Sequence, residues 1–191
     1  MISERMEPMG NPFLKVFMVV VALVLIFLWP ISSGLNKQDD ISEIVVLNAV
    51  TQFVDSVRDK GYITPTMYNE FVDQMALTAN TYDIQMEHRH KRYDPIYDDA
   101  GVYLGGFNVN YESFYNAQIN DKLFPRNSAE KIESPTRVYK LATGDFFSVV
   151  VKNTNRTSGT LINDVLTGTI NTPNEKIVIP YGGMVLNEDY N

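Results

Sequence analysis

The alternation of apolar and polar positions changes its period twice along the chain. From Val16 to Ile31 sixteen consecutive residues carry no charge, and nearly all are aliphatic or aromatic. As a helix this run rises about 24 Å. Phe13 and Leu14 extend it upstream and Ser32 to Leu35 downstream, toward the ~30 Å of a hydrocarbon core. Lys15 is long enough to snorkel, and Trp29 falls where an indole sits at headgroup level. Because the run is apolar on every face, it predicts a membrane-spanning helix over about 13–35. Val16, Phe17, Val20, Leu23, Phe27 and Trp29 are its lipid-facing or helix-packing side chains.

The period then becomes three to four. Ile41, Ile44, Leu47, Val50, Phe53 or Val54, and Val57 fall on one stripe, which predicts an amphipathic helix over about 40–60. Asp39 or Asp40 fits its N-cap and Gly61 its stop. Thr64 followed by Pro65 announces a second helix, about 65–79, with Tyr68, Phe71, Val72 and Met75 on one side. From Tyr82 the period drops to two: Tyr82, Ile84, Met86 and His88 alternate with Asp83, Gln85, Glu87 and Arg89, a half-buried strand over 82–92. Asp94, Pro95, Asp98, Asp99 and Gly101 predict a loop. Tyr111, Phe114, Tyr115 and Ile119 fit a short helix. Strands dominate 135–186: a hairpin broken at Gly144–Asp145, a brief helix at "GTLINDVL", and a closing strand around Pro180, Gly182 and Gly183. Helices first and antiparallel strands later predict an α+β domain over 36–191.

Flanking charges orient the apolar run. Arg5 and Lys15 precede it and Lys37 follows, so the positive-inside bias places residues 1–12 in the cytoplasm and the domain outside. A cleaved signal peptide is the rival reading, with Ser32-Ser33-Gly34 as its cutting site; the long segment before the core, with Glu4 and Glu7, favours a retained anchor. The expected location is therefore the cell membrane, single-pass. A third role for the run is the packing stalk of a filament subunit. The formal net charge of -7 disfavours nucleic acid. With no cysteine in the chain, disulfides, thiolate nucleophiles and cysteine-ligated zinc are excluded.

Candidate chemistry is sparse. His88 and His90, the chain's two histidines, are strand alternates that share a face and are the weak candidates for metal ligands. Glu87 points to the other side, so any carboxylate partner must come from a distant part of the chain. "HRHKRY" is a basic cluster in an acidic chain, and its Arg89, Lys91 and Arg92 are candidate contacts for an acidic partner, lipid headgroups or a cell-wall polymer. Ile44, Leu47 and Val50 are candidate packing positions on the amphipathic helix, and the aromatics Tyr93 and Tyr97 are further candidate contacts. The spacing in "DPIYDDAG" does not make a calcium loop. Asn155-Arg156-Thr157 matches a glycosylation sequon, which matters only in a eukaryotic secretory pathway. No nucleophile motif, metalloprotease motif or phosphate-cradling glycine loop is present. An enzyme is not expected, and neither a cofactor nor a small-molecule substrate is called for.

The layout, together with "QFVDSVRDKGYITPTMYNEFVDQMALTANTYDIQMEHRHKRYDPIY", "GDFFSVVVKNTNRT" and "YGGMV", resembles the small membrane-anchored pilin-like proteins of Firmicutes that accompany tight-adherence (Tad) type pilus or secretion genes. The resemblance implies an assembly role, with the bilayer and other pilin-like or assembly-platform membrane proteins as partners. Prepilins of the usual type are cut after a glycine and carry glutamate five residues later; here Gly10 is followed by Lys15 in that place. A minor or accessory subunit is the expectation. A membrane-anchored ligand-binding or sensing module is the alternative.

Overall fold

The computed structural model describes residues 12–126, 129–168 and 176–187. The cytoplasmic segment expected over 1–12, with its glycine cutting site, lies almost wholly outside them. Its largest element is one helix, α1, Pro12–Lys60. The apolar run and the amphipathic stripe are thus parts of one rod, and neither Asp39 nor Asp40 caps a helix start. The N-terminal half of α1 has no buried residue before Asp39, and Phe13, Phe17, Leu25, Phe27 and Trp29 are all more than half exposed. It is long and apolar enough to cross a membrane. The C-terminal half buries Val46, Val50, Phe53, Val54 and Val57. Gly61, at φ +72°, ends the helix in the left-handed region that favours glycine.

After α1 come β1 (Tyr62–Ile63), α2 (Pro65–Ala76), β2 (Tyr82–Tyr97), β3 (Tyr103–Tyr115), α3 (Asn116–Leu123), a 3-10 turn (Pro135–Arg137), β4 (Tyr139–Lys140), β5 (Phe146–Asn153), α4 (Ser158–Thr167) and β6 (Val178–Met184). The fold is α+β. Thr64 caps α2 by accepting the Met67 N–H, with Pro65 in the first turn. The four-stranded sheet has the order β3-β2-β5-β6, antiparallel throughout. Its inner face packs on α1 and α2. Phe53 stacks on Phe71 with ring centroids 4.5 Å apart and meets Phe147 edge-on at 6.1 Å.

Three expectations are corrected. The helix expected over 109–124 is helical only from Asn116 to Leu123, and 109–115 are strand: Phe107, Val109 and Tyr111 alternate with Asn108, Asn110 and Glu112, and pairing with β2 selects that period over the helical one. Asp94 and Pro95 lie within β2, so the loop shrinks to the turn at Asp98–Gly101, where Asp98 accepts the Ala100 and Val102 N–H groups. Gly144–Asp145 does not close a hairpin: β4 pairs with β1, whereas β5 pairs with β2 and β6.

The strand directions define two ends of the domain. Lys176, just before β6, reaches Asp39 of α1, while Met184, at the end of β6, accepts a hydrogen bond from Arg58. β6 therefore runs alongside α1 in the same direction, β5 runs back, and β2 runs forward again. The last β2–β5 pair is Arg89↔Phe146, yet β2–β3 pairing continues to Tyr97↔Tyr103. The outer part of the hairpin is consequently a free two-stranded arm. Residues 90–97 carry it about 26 Å past the sheet, on the side away from the apolar half of α1.

Candidate functional site: a histidine–aspartate clasp at the root of the arm

Where β5 begins, β2 loses its neighbour, and the Lys91 N–H has no strand to bond. The Asp145 side chain takes that place. Its Oδ1 accepts the Lys91 N–H at 3.0 Å and its Oδ2 accepts the Ala142 N–H at 2.8 Å. His88 Nε2 lies 2.8 Å from Oδ2, and His90 Nδ1 lies 3.0 Å from Oδ1. Both histidines project from the inner face of β2, and Asp145 is 1% exposed. Asn116 plays the matching part at the other end of β2, beyond the last β3 pair: it accepts the Met86 N–H and donates to the Ile84 carbonyl.

The protonation pattern follows from the donor inventory. A carboxylate only accepts, so His88 Nε2 and His90 Nδ1 carry the protons. In neutral His88 the other nitrogen, Nδ1, then accepts from the Tyr139 hydroxyl 2.8 Å away. Burial lowers the His88 pKa against the pull of Asp145, which keeps the ring neutral. Burial also pushes the Tyr139 phenol up to about 12, helped by the Asp145 charge. Burial works to raise the Asp145 carboxyl as well, but the two backbone N–H groups and both imidazoles outweigh it and hold it below the usual range. His88 is further packed against Phe114 at 5.6 Å.

His88, His90 and Asp145 present donor atoms within 4.8 Å of one another, a set that divalent cations use. Four N–H donors already fill the carboxylate's four lone-pair positions, and spacings of 2.8–3.1 Å are those of hydrogen bonds. Ligands about 2.1 Å from a tetrahedral ion stand farther apart, near 3.4 Å. The cluster is a hydrogen-bonded clasp that fixes the root of the arm. Both His88 nitrogens are engaged within it, whereas half-exposed His90 uses only Nδ1 toward Asp145.

The remaining predicted residues separate. Ile44 and Leu47 are exposed on α1, whereas Val50 is fully buried in the core, because it lies about 120° around the helix from Ile44. Arg89 lies over the Phe146 ring at 5.1 Å and Lys91 over the Tyr93 ring at 5.0 Å, on the outer face of the sheet. Arg92 is on the inner face, bonded to Asp94. The basic cluster is therefore divided between two faces. Tyr93 and Tyr97 are both exposed. Asn155 uses its side chain internally, accepting from the Thr81 N–H and donating to Asn80.

A second buried carboxylate, Asp39, clasps α4. It accepts from Thr157, the N-cap of α4, at 2.6 Å and from Lys176 at 2.8 Å. A Cβ at Gly159 would overlap the Asp39 carboxylate, so glycine is what lets α4 lie this close to α1.

Comparison of the chain with protein-family models, with curated proteins and with solved structures finds no match.

Proposed function

We infer that the chain is a single-pass membrane protein, N-terminus inside, and a structural or accessory subunit of a bacterial surface assembly of the pilin-like, tight-adherence type. The supporting observation is the continuity of α1, whose apolar half is exposed and whose amphipathic half forms part of the domain core. A binding module needs only a tether. A rigid rod shared by bilayer and domain fixes height and orientation, which a subunit in a defined assembly requires. A helix side without polar atoms from Val16 to Leu28 suits lipid and suits packing against other apolar helices.

The test is membrane fractionation with alkaline extraction and mass spectrometry of the mature N-terminus. An intact start in the extraction-resistant fraction is the expected result. A start at Asn11 in that fraction points to prepilin-type processing and keeps the assembly role. A start at Leu35 in the soluble fraction overturns the reading.

A further inference from the structure

The arm formed by β2 and β3 beyond Arg89 has two unlike faces. Residues directly opposite each other share a face, so the register places Tyr93 with Val109, Lys91 with Tyr111, Pro95 with Phe107 and Tyr97 with Tyr103. On that face Tyr93, Tyr97, Tyr103, Phe107, Val109 and Tyr111 are 44–57% exposed. The rings of Tyr97, Tyr103 and Phe107 lie 5.7–6.0 Å apart in sequence along it. The opposite face carries Arg92 and Asn110, both hydrogen-bonded to Asp94, with Ile96 and Leu104 nearer the tip. The two nearest cations stay at the root, over their own rings: Arg89 on Phe146 and Lys91 on Tyr93. An aromatic patch with a single cation, Lys91, at its root and a polar rim has the composition of a protein interface core.

We propose that this face docks on the same face of a second copy of the chain, the two arms pairing about a two-fold axis normal to the bilayer. The proposal rests on the membrane-anchored reading above. Every anchored copy carries its arm at the same height, because a single helix sets the distance from the apolar run to the arm's root. Like faces of neighbouring copies therefore meet, as an isologous contact requires. The one charge on the face, Lys91, lies at the root over its own Tyr93 and meets no carboxylate across the contact, so the pairing is centred on Tyr97, Tyr103 and Phe107, away from it. The area decides the strength. Five aromatic residues at about half exposure, each worth ~150–250 Å² in full, give on the order of 500 Å² per copy. That is about 1,000 Å² in total, below the standard size for a stable complex in solution. Confinement to one membrane supplies the missing effective concentration. The paired state thus forms between co-anchored copies and dissociates when they are diluted in detergent.

The chain lacks cysteine, so single substitutions report contacts without background. Val109→Cys probes the aromatic face and its neighbour Asn108→Cys the polar one, both exposed and outside the core. Full-length protein is reconstituted into liposomes, its flotation with lipid is scored, and disulfide formation is induced. Expected are flotation of both variants and a dimer band several-fold stronger for Val109→Cys than for Asn108→Cys. Adding Phe107→Ser to Val109→Cys weakens that band several-fold, and dilution into detergent before oxidation abolishes it. Flotation with equal bands, or with none, overturns arm pairing and leaves the anchor standing. Protein that does not float overturns both.

Discussion

Replacing Asp145 by alanine tests whether the clasp is the buried, saturated network described above. The substitution removes the acceptor for the Lys91 and Ala142 N–H groups and for both imidazoles. Asp145 is 1% exposed and His88 4%, so water does not replace the lost acceptor for His88, whereas the Lys91 and Ala142 amides are part-buried. His90 is half exposed and recovers a water partner. The His88 donor stays buried without a partner at ~1–3 kcal/mol, and the two part-buried amides lose theirs at less each, for a sum of about 2–4 kcal/mol. Against a typical total stability of ~5–15 kcal/mol that is a large fraction. Denaturant unfolding of full-length protein in mild detergent, followed by circular dichroism, reads the change. Hydrogen exchange locates it, with the Lys91 amide expected to lose its protection while the Val149 amide, inside β5, keeps it until global unfolding. A loss below about 1 kcal/mol, or an unchanged exchange rate at Lys91, would refute the clasp.

Further outcomes follow from other parts of the molecule. Leu23→Arg places a charge in the middle of the apolar half of α1, costing roughly 2.5–3.5 kcal/mol of insertion free energy; alkaline extraction should release much of it, and full retention would contradict a span over Val16–Ile31. Gly159→Ala presses a methyl group onto Asp39 and should destabilise by about 1–3 kcal/mol, whereas Gly34→Ala, with open space around its Cβ position, should stabilise by roughly 0.5–1 kcal/mol; thermal unfolding of the two variants checks the contrast. His88 has a folded pKa below its unfolded value of about 6.5, so the unfolded state takes up the proton first and stability falls as pH drops below that value. Asp145, also depressed, adds a second loss as pH falls below about 3.9. The first loss should vanish in His88→Gln, and a wild-type profile flat from pH 7.5 to 5.5 would refute a buried neutral His88.

Elements whose signals are local were legible in the sequence. Thr64-Pro65 marks the start of α2, Gly61 the end of α1, and the alternation from Tyr82 to His88 the inner half of β2. The site was half legible. His88 and His90 were expected to share a face, and they do. Their partner Asp145 lies 55 to 57 residues away and reads in sequence as ordinary turn chemistry beside Gly144, because nothing local distinguishes a turn aspartate from one that completes a sheet edge. Within 107–112, strict alternation was present but competed with a helical spacing through Tyr111, Phe114, Tyr115 and Ile119. Cross-strand pairing with β2, a contact between distant residues, decided it. Val50 shows the same limit: the stripe identified it as apolar, but only the position of the sheet says which apolar residues of α1 are covered.

The unbroken course of α1 is the feature that local propensity argues against. Pro30 removes the N–H that would bond the Ile26 carbonyl, and a proline inside a helix costs ~3 kcal/mol or more. Gly34, one turn later, adds about 1 kcal/mol relative to alanine. On the anchored reading, two surroundings hold the helix on either side. Below Pro30 a hydrocarbon core leaves the backbone no partners but its own, so only a helix is stable there. Above Gly34, Asp39 is tied to Thr157 and Lys176, and Val46, Val50, Phe53 and Val57 are locked into the core. The weak turn falls between them, beside Trp29, at the depth where water and headgroups can bond the orphan carbonyl. The turn at 30–34 lies just below the Asn163–Asn36 bond that ties α4 to α1. Held on both sides, the turn stays helical, and α1 remains the single rod that sets the height of the arm.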